Sequence, residues 1–238
     1  MEQLFYAPDI ASEHVLPEDE SVHCVRVLRL KEGDSITITD GKGFLYNATL
    51  ENIHLKHCRV NIMEQLPQNP LWNYSIHIAV APAKNIDRME WFVEKATEIG
   101  INYITFLRCH HSERREIKLQ RLNKIAVSAM KQSQKTLLPQ INEMIDFNKF
   151  ISQKLDGQKM IAHCADDNKQ LITELYKPNN NALILIGPEG DFSNEEINTA
   201  ISAGFVPVTL GKSRLRTETA ALAACNTIHV LNQLSIHS

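Results

Sequence analysis

Two stretches in the C-terminal part of the chain hold the residues best suited to chemistry. They are Leu183-Ile184-Leu185-Ile186-Gly187-Pro188-Glu189-Gly190-Asp191-Phe192-Ser193 and Leu210-Gly211-Lys212-Ser213-Arg214-Leu215-Arg216-Thr217-Glu218-Thr219-Ala220. Each is an apolar run that stops at glycine. Four consecutive aliphatic residues ending at Gly187 suit a fully buried parallel strand, and the Gly-Pro-Glu-Gly turn lets main chain approach a ligand without a Cβ in the way. Open α/β sheets bind ligands at the carboxyl ends of their strands, so two such exits from neighbouring strands would wall one pocket. The same dipeptides also make plain turns, and the pattern alone leaves both readings open. A P-loop is excluded, because Val206 stands where the phosphate cradle before Gly211-Lys212-Ser213 needs its first glycine.

The elements that must hold these residues fall into two blocks. Over residues 1–66, Pro17-Glu18-Asp19-Glu20 opens a helical stretch with apolar Val22, Val25 and Leu28 at three-residue spacing, and Gly33-Asp34 turns the chain after it. Ser35 to Asp40 alternates as a strand, Asp40-Gly41-Lys42-Gly43 makes a hairpin turn, Phe44 to Leu50 returns, and Cys58 to Ile62 adds a short strand. This is a compact, barrel-like, β-rich module. Leu66-Pro67-Gln68-Asn69-Pro70 is the best linker candidate, since its prolines discourage helix and strand alike.

The second block alternates strand and helix. Ser75 to Ala81 is a strand, Asp87 to Ile99 a helix stopped by Gly100, and Ile101 to Leu107 a strand; a long basic helix is expected from about Ser112 to about Gln132. Met160 to His163 and the Leu183 run are strands, Ser193-Asn194-Glu195-Glu196 is a capping box opening a helix that ends at Gly204, Phe205 to Leu210 is a strand, and Ala220 to Leu234 closes the chain as a helix. Such alternation specifies a parallel α/β sheet.

Composition narrows the function. With 238 residues, 43% of them hydrophobic, the chain can bury one large core or two smaller ones, and nothing in it reads as a signal peptide or a membrane-spanning run, so a cytoplasmic protein is expected. The five cysteines are scattered without a C-x-x-C pair, and Cys109-His110-His111 lacks partners at metal-ligand spacing, so no metal is expected. The net charge is −3, but residues 1–83 carry 6 basic against 11 acidic side chains, residues 84–135 carry 11 against 6, and residues 136–238 carry 8 against 11. The basic middle segment is either a solvated helix face or an RNA-facing surface.

Three groups of residues, taken together, resemble one family. They are Gly187-Pro188-Glu189-Gly190 followed by Phe192-Ser193, Leu210-Gly211 followed by Leu215 to Ala220, and the upstream Lys84-x-x-x-Arg88-Met89-Glu90-Trp91 with Glu94-Lys95-Ala96-Thr97-Glu98-x-Gly100. The chain resembles the RsmE family of SPOUT-type RNA methyltransferases, most sharply from Lys84 onward. The resemblance implies an α/β fold with a C-terminal SPOUT-type domain, residues 71–238, holding a parallel sheet and a trefoil knot. A small β-rich PUA-like barrel domain, residues 1–70, would precede it and help hold RNA. The knot follows from the resemblance only, because connection rules make threaded chains rare.

The implied activity is transfer of a methyl group from S-adenosylmethionine to N3 of a uridine near the decoding region of 16S rRNA, by a homodimer. Ile186, Gly187, Gly190, Leu210, Gly211, Leu215 and Ala220 are the cofactor-binding candidates. Uracil N3 is a poor nucleophile until its proton is lost, so the reaction needs a base or a cation that stabilises the anion. Arg216, just before a helix, is the candidate cation, and Glu218 would orient it or act as the base; the alternative is that Arg216 only pairs with Glu218 or Glu189. Lys84, Arg88, Arg114, Arg115, Arg121, Lys124 and Arg214 are candidate RNA contacts, with Arg26, Arg29 and Lys31 as local ones in the first domain. The Lys212-Ser213-Arg214 order shifts the family's usual arginine by one position, and Arg115 stands where serine is common. A net acidic protein has little charge for indiscriminate RNA capture, so the expected partner is 16S rRNA in the assembled small subunit. Competing readings are a knotted methyltransferase acting on a ribose 2′-oxygen or on tRNA, and a noncatalytic RNA-binding or assembly protein.

Overall fold

The computed structural model describes residues 3–165 and 169–235. Two compact units share the chain. The first runs up to Trp72 and includes Val127–Leu138; the second holds Asn73–Ala126 and the chain from Pro139 onward.

In the first unit the elements are β1 (Leu4–Tyr6), α1 (Ile10–Glu13), α2 (Glu18–Val22), a π-helical turn over His23–Val27, β2 (Ser35–Thr39), β3 (Phe44–Asn52) and β4 (Arg59–Pro67). They build a four-stranded sheet in the order β1-β2-β3-β4, with β1 parallel to β2 and the other pairs antiparallel. Its hydrophobic core includes Phe5, Ile10, Leu16, Cys24, Ile38, Tyr46, Leu50 and Val60. The expected hairpin turn is present: Asp40 Oδ1 accepts from the amides of Lys42 (2.7 Å) and Phe44 (3.2 Å), and Gly41 and Gly43 take φ of 72° and 105°. Two expectations change. The helical stretch after Pro17 passes into the π-turn, where the Leu28 amide donates to His23 O at 3.0 Å. The linker starts later than its prolines suggest, since Leu66 and Pro67 still pair with Leu45 and Phe44; proline is tolerated at the last position of the edge strand.

The second unit follows as β5 (Ile76–Val80), α3 (Ile86–Ile99), β6 (Tyr103–Arg108), α4 (Leu119–Gln132), β7 (Gln140–Asp146), α5 (Phe147–Ile151), β8 (Gln158–Ala162), β9 (Gln170–Leu171), α6 (Ile172–Leu175), β10 (Ala182–Ile186), α7 (Asn194–Ser202), β11 (Val206–Thr209) and α8 (Thr217–Ser235); the residues of α4 from Val127 belong to the first unit. All seven strands are parallel, in the order β7-β6-β5-β10-β8-β11-β9. Strand β10 lies inside the sheet, and every residue of its Ala-Leu-Ile-Leu-Ile run is buried, as a strand covered on both faces requires. The capping box forms: Ser193 Oγ accepts from the Glu196 amide at 3.2 Å, and Glu196 Oε2 from the Ser193 amide at 2.9 Å.

The basic helix does not begin at Ser112. Residues up to 118 form a loop, because one local and two distant contacts compete with the helix: Ser112 Oγ accepts from the Cys109 amide (2.9 Å), and Arg114 donates to the carbonyls of Ala83 (3.3 Å) and Lys84 (2.7 Å). Helix α8 starts three residues before Ala220, at Thr217, whose hydroxyl donates to Gly187 O at 3.1 Å in a buried contact. That bond ties the first turn of α8 to the glycine exit of β10.

Candidate active site

The carboxyl ends of β10, β8 and β11, three adjacent strands, open onto a cavity of about 710 Å³. This is the position at which parallel α/β sheets take ligands, and the size suits a nucleoside-sized molecule. Of the cofactor-binding candidates, Ile186, Gly187, Leu210, Gly211, Leu215 and Ala220 line it. Gly190 does not; a Cβ there would come within 3.1 Å of His111 Cβ, so this glycine admits the neighbouring loop rather than a ligand. Gly187 is close-packed beneath the cavity, where a Cβ would lie 3.1 Å from the Phe192 ring and 3.2 Å from Asp191 Oδ1. Gly211 has φ of 129°, a backbone conformation that glycine alone adopts without strain.

The lining also uses residues outside the sequence candidates: Ala162 at the end of β8, His163, Cys164 and Lys169 after it, and Asp191. Asp191 takes a left-handed conformation (φ 64°), its Oδ2 accepts from the Cys164 amide at 2.7 Å and its Oδ1 from the Phe192 amide at 2.9 Å. It thereby joins the turn after β10 to the end of β8. An acidic residue following glycine is a weak turn signal, and nothing local in the sequence announces a partner 27 positions away. Lys169 Nζ donates to the carbonyls of His163 (2.8 Å) and Ala165 (2.7 Å).

Arg216 and Arg214 line the cavity and are exposed, and neither makes an ion pair among the described residues. Glu218 does not line it. Its side chain is 8% exposed, with Oε1 3.9 Å from Arg88 Nε and Oε2 without a partner among the described residues. Arg88 also lies 3.6 Å from Glu189, whose Oε2 accepts from the Lys84 amide at 3.3 Å. Both carboxylates offered by sequence as partners for Arg216 therefore face Arg88 instead.

The other basic candidates lie outside the cavity lining. Lys84 Nζ pairs with Glu113 at 2.8 Å, and Arg121 holds Glu90 through both guanidinium and carboxylate edges. Arg114 is spent on backbone carbonyls, whereas Arg115 is exposed and makes no ion pair among the described residues; Lys124 lies on α4. Burial raises the Cys109 thiol well above its ordinary range, which makes it a packing residue. Among the described residues no group of three His, Cys, Asp or Glu is placed to hold a metal ion, and no helix is long and apolar enough to cross a membrane.

The model of an RNA methyltransferase domain matches residues 70–229, and that of an RNA methyltransferase PUA domain matches residues 16–63. A solved structure described as a probable rRNA-methyltransferase from Porphyromonas gingivalis is 44% identical, with a TM-score of 0.93 over 98% of this chain and 99% of that one. A ribosomal RNA small subunit methyltransferase E from Neisseria gonorrhoeae, solved bound to S-adenosyl methionine, is 27% identical with a TM-score of 0.85, covering 97% of this chain and 98% of that one. The protein of the same name from Rickettsia conorii is 30% identical over 91% of this chain and 89% of its own length.

Proposed function

We propose, since this chain belongs to the ribosomal RNA small subunit methyltransferase E family of RNA methyltransferases, that it methylates N3 of one uridine near the decoding region of 16S rRNA, using S-adenosylmethionine. The observation that carries this reading is the cavity itself, walled by two glycine exits, with Arg214 and Arg216 on its lining and neither in an ion pair among the described residues. Its mixed wall of main chain and aliphatic side chains fits an adenosine-type ligand. Ile186, Gly187, Leu210, Gly211, Leu215 and Ala220 would hold it.

When bound, the cofactor supplies a methyl group already activated by its sulfonium. The chain's own task is then alignment and charge control. Arg216 sits immediately before α8, where the first-turn amides add positive potential, and it stabilises the negative charge left on uracil once the N3 proton has passed to solvent water. For Glu218 the proposed role is orientation rather than proton transfer, because it is buried behind the lining. Arg115 and Arg214 are the readiest phosphate contacts, and the exposed Lys84–Glu113 pair can exchange its carboxylate for phosphate at little cost, whereas Arg121 is held by the largely covered Glu90. Residues 1–70 form the PUA-like RNA-holding domain of this reading and residues 71–238 the catalytic one. A C-terminal trefoil knot, a homodimer, a cytoplasmic location and the assembled small subunit as substrate complete it.

The test incubates small subunits lacking the modification with the protein and S-adenosylmethionine, and compares digested nucleosides by mass spectrometry with 3-methyluridine and ribose-methyl standards. New 3-methyluridine at one site is the expected result. A methyl group on ribose or on another RNA would overturn the specificity, and no transfer by folded, cofactor-binding protein would overturn the enzymatic reading.

A further inference from the structure

Arg88 stands in the first turn of α3, at a helix end where a cation is electrostatically disfavoured. Something must compensate it, and the compensation is specific. Its guanidinium lies 3.6 Å from Glu189, on the turn after β10, and 3.9 Å from Glu218, in the first turn of α8. Glu189 lines the cavity, and Glu218 is two residues from Arg216 along the chain. Glu218 is nine-tenths buried in the first turn of α8, and among the described residues one of its carboxylate oxygens is unpartnered and Arg88 is the cation that faces it. Without Arg88, Glu189 on the same cavity lining and Glu218 two residues along the chain are left to compete for Arg216, which makes no ion pair among the described residues.

We infer that Arg88 is a positioning residue that engages Glu189 and Glu218 so that Arg216 stays available to the ligand. This assigns Arg88 to the charge balance of the cavity and not to an RNA phosphate. The exposure of its side chain, 33%, agrees with a group held against the protein surface rather than extended from it. Two features reinforce the arrangement: the Lys84 amide fixes the second oxygen of Glu189, and Thr217 anchors the α8 turn to Gly187. The inference concerns how Arg216 is kept free; its effect on turnover rests on the methyltransfer reading above, whereas the state of Arg216 does not.

The test therefore has two readouts. Phenylglyoxal, which modifies accessible guanidinium groups, is applied to the full-length protein, and the Arg216 adduct is followed by peptide mass spectrometry in wild type, Arg88→Ala, Arg88→Lys and Arg88→Ala with Glu189→Gln. Arg216 labelling is expected to slow several-fold in Arg88→Ala, to recover in Arg88→Lys and to recover in part in the double variant, where Glu218 remains. In parallel, methylation of unmodified small subunits should show kcat down roughly 10- to 100-fold in Arg88→Ala, as misplacement of a reacting group does, with KM for the subunits and its salt dependence unchanged and kcat partly restored in the double variant.

Unchanged Arg216 labelling in Arg88→Ala overturns the inference. So does a raised KM with a salt slope shallower by about one and kcat intact, the signature of a lost phosphate contact. A loss of both signals that neither second substitution restores, accompanied by a lowered melting temperature, marks a purely structural role and also overturns it. If labelling behaves as expected while wild-type protein methylates no uridine, the proposed function fails and the inference stands.

Discussion

At the scale of single residues, the cavity depends on two glycines for different reasons. A Cβ at Gly187 would press on Phe192 and Asp191, whereas one at Gly211 would meet nothing within 4 Å, and only its φ of 129° objects. Gly211→Ala should therefore cost about 1–3 kcal/mol of backbone strain without any collision. Calorimetry should show weakened S-adenosylmethionine binding, and the melting temperature should fall. Arg216→Ala separates binding from chemistry. Removing a charge that acts on the developing anion should lower kcat by roughly 10²-fold or more while leaving the cofactor dissociation constant nearly unchanged. A variant with wild-type kcat would remove Arg216 from the reaction.

At the scale of elements, side chains of β5, β6 and β7 are joined across the sheet by a short polar chain. Asn142 Nδ2 donates to Thr105 Oγ1 at 2.8 Å, and the same hydroxyl shares a hydrogen bond with His77 Nε2, also at 2.8 Å. Burial favours the neutral imidazole and lowers its pKa from 6.5 to about 4. Between these values the unfolded chain binds more protons than the folded one. The stabilising contribution is therefore complete above pH 6.5 and is lost as the pH falls toward 4, by about 3 kcal/mol at most. Urea denaturation between pH 7 and 4.5 should show this loss in wild type and a flatter profile in His77→Gln; parallel profiles would show that His77 stays charged or solvated.

At the scale of the whole molecule, the net charge of −3 sets how RNA can be held. With no general excess of positive charge, binding should depend on few phosphate contacts, and each one should be visible. Arg115→Ala and Arg214→Ala are each expected to reduce the salt slope of small-subunit binding by about one, nearly independently of each other. Filter binding across a range of potassium chloride concentrations measures this, and an unchanged slope in either variant would strike that arginine from the contact set. Light scattering over a concentration series checks the proposed homodimer.

The sequence by itself determined the parallel α/β class, the buried β10 strand, the capping box of α7 and most of the cavity's glycine-bounded lining. Each of these is written in a run of a few neighbouring residues, where periodicity, turn chemistry and missing Cβ atoms act locally. Tertiary structure decided what lies between distant segments. It dissolved the expected helical turns after Ser112 by drawing Arg114 onto the carbonyls of Ala83 and Lys84, about 30 positions away, and it brought Asp191 to the end of β8. It also gave Glu189 and Glu218, 101 and 130 positions along the chain, to Arg88 instead of Arg216. Charge pairing depends on distance in space and on burial, and neither quantity is encoded by spacing along the chain.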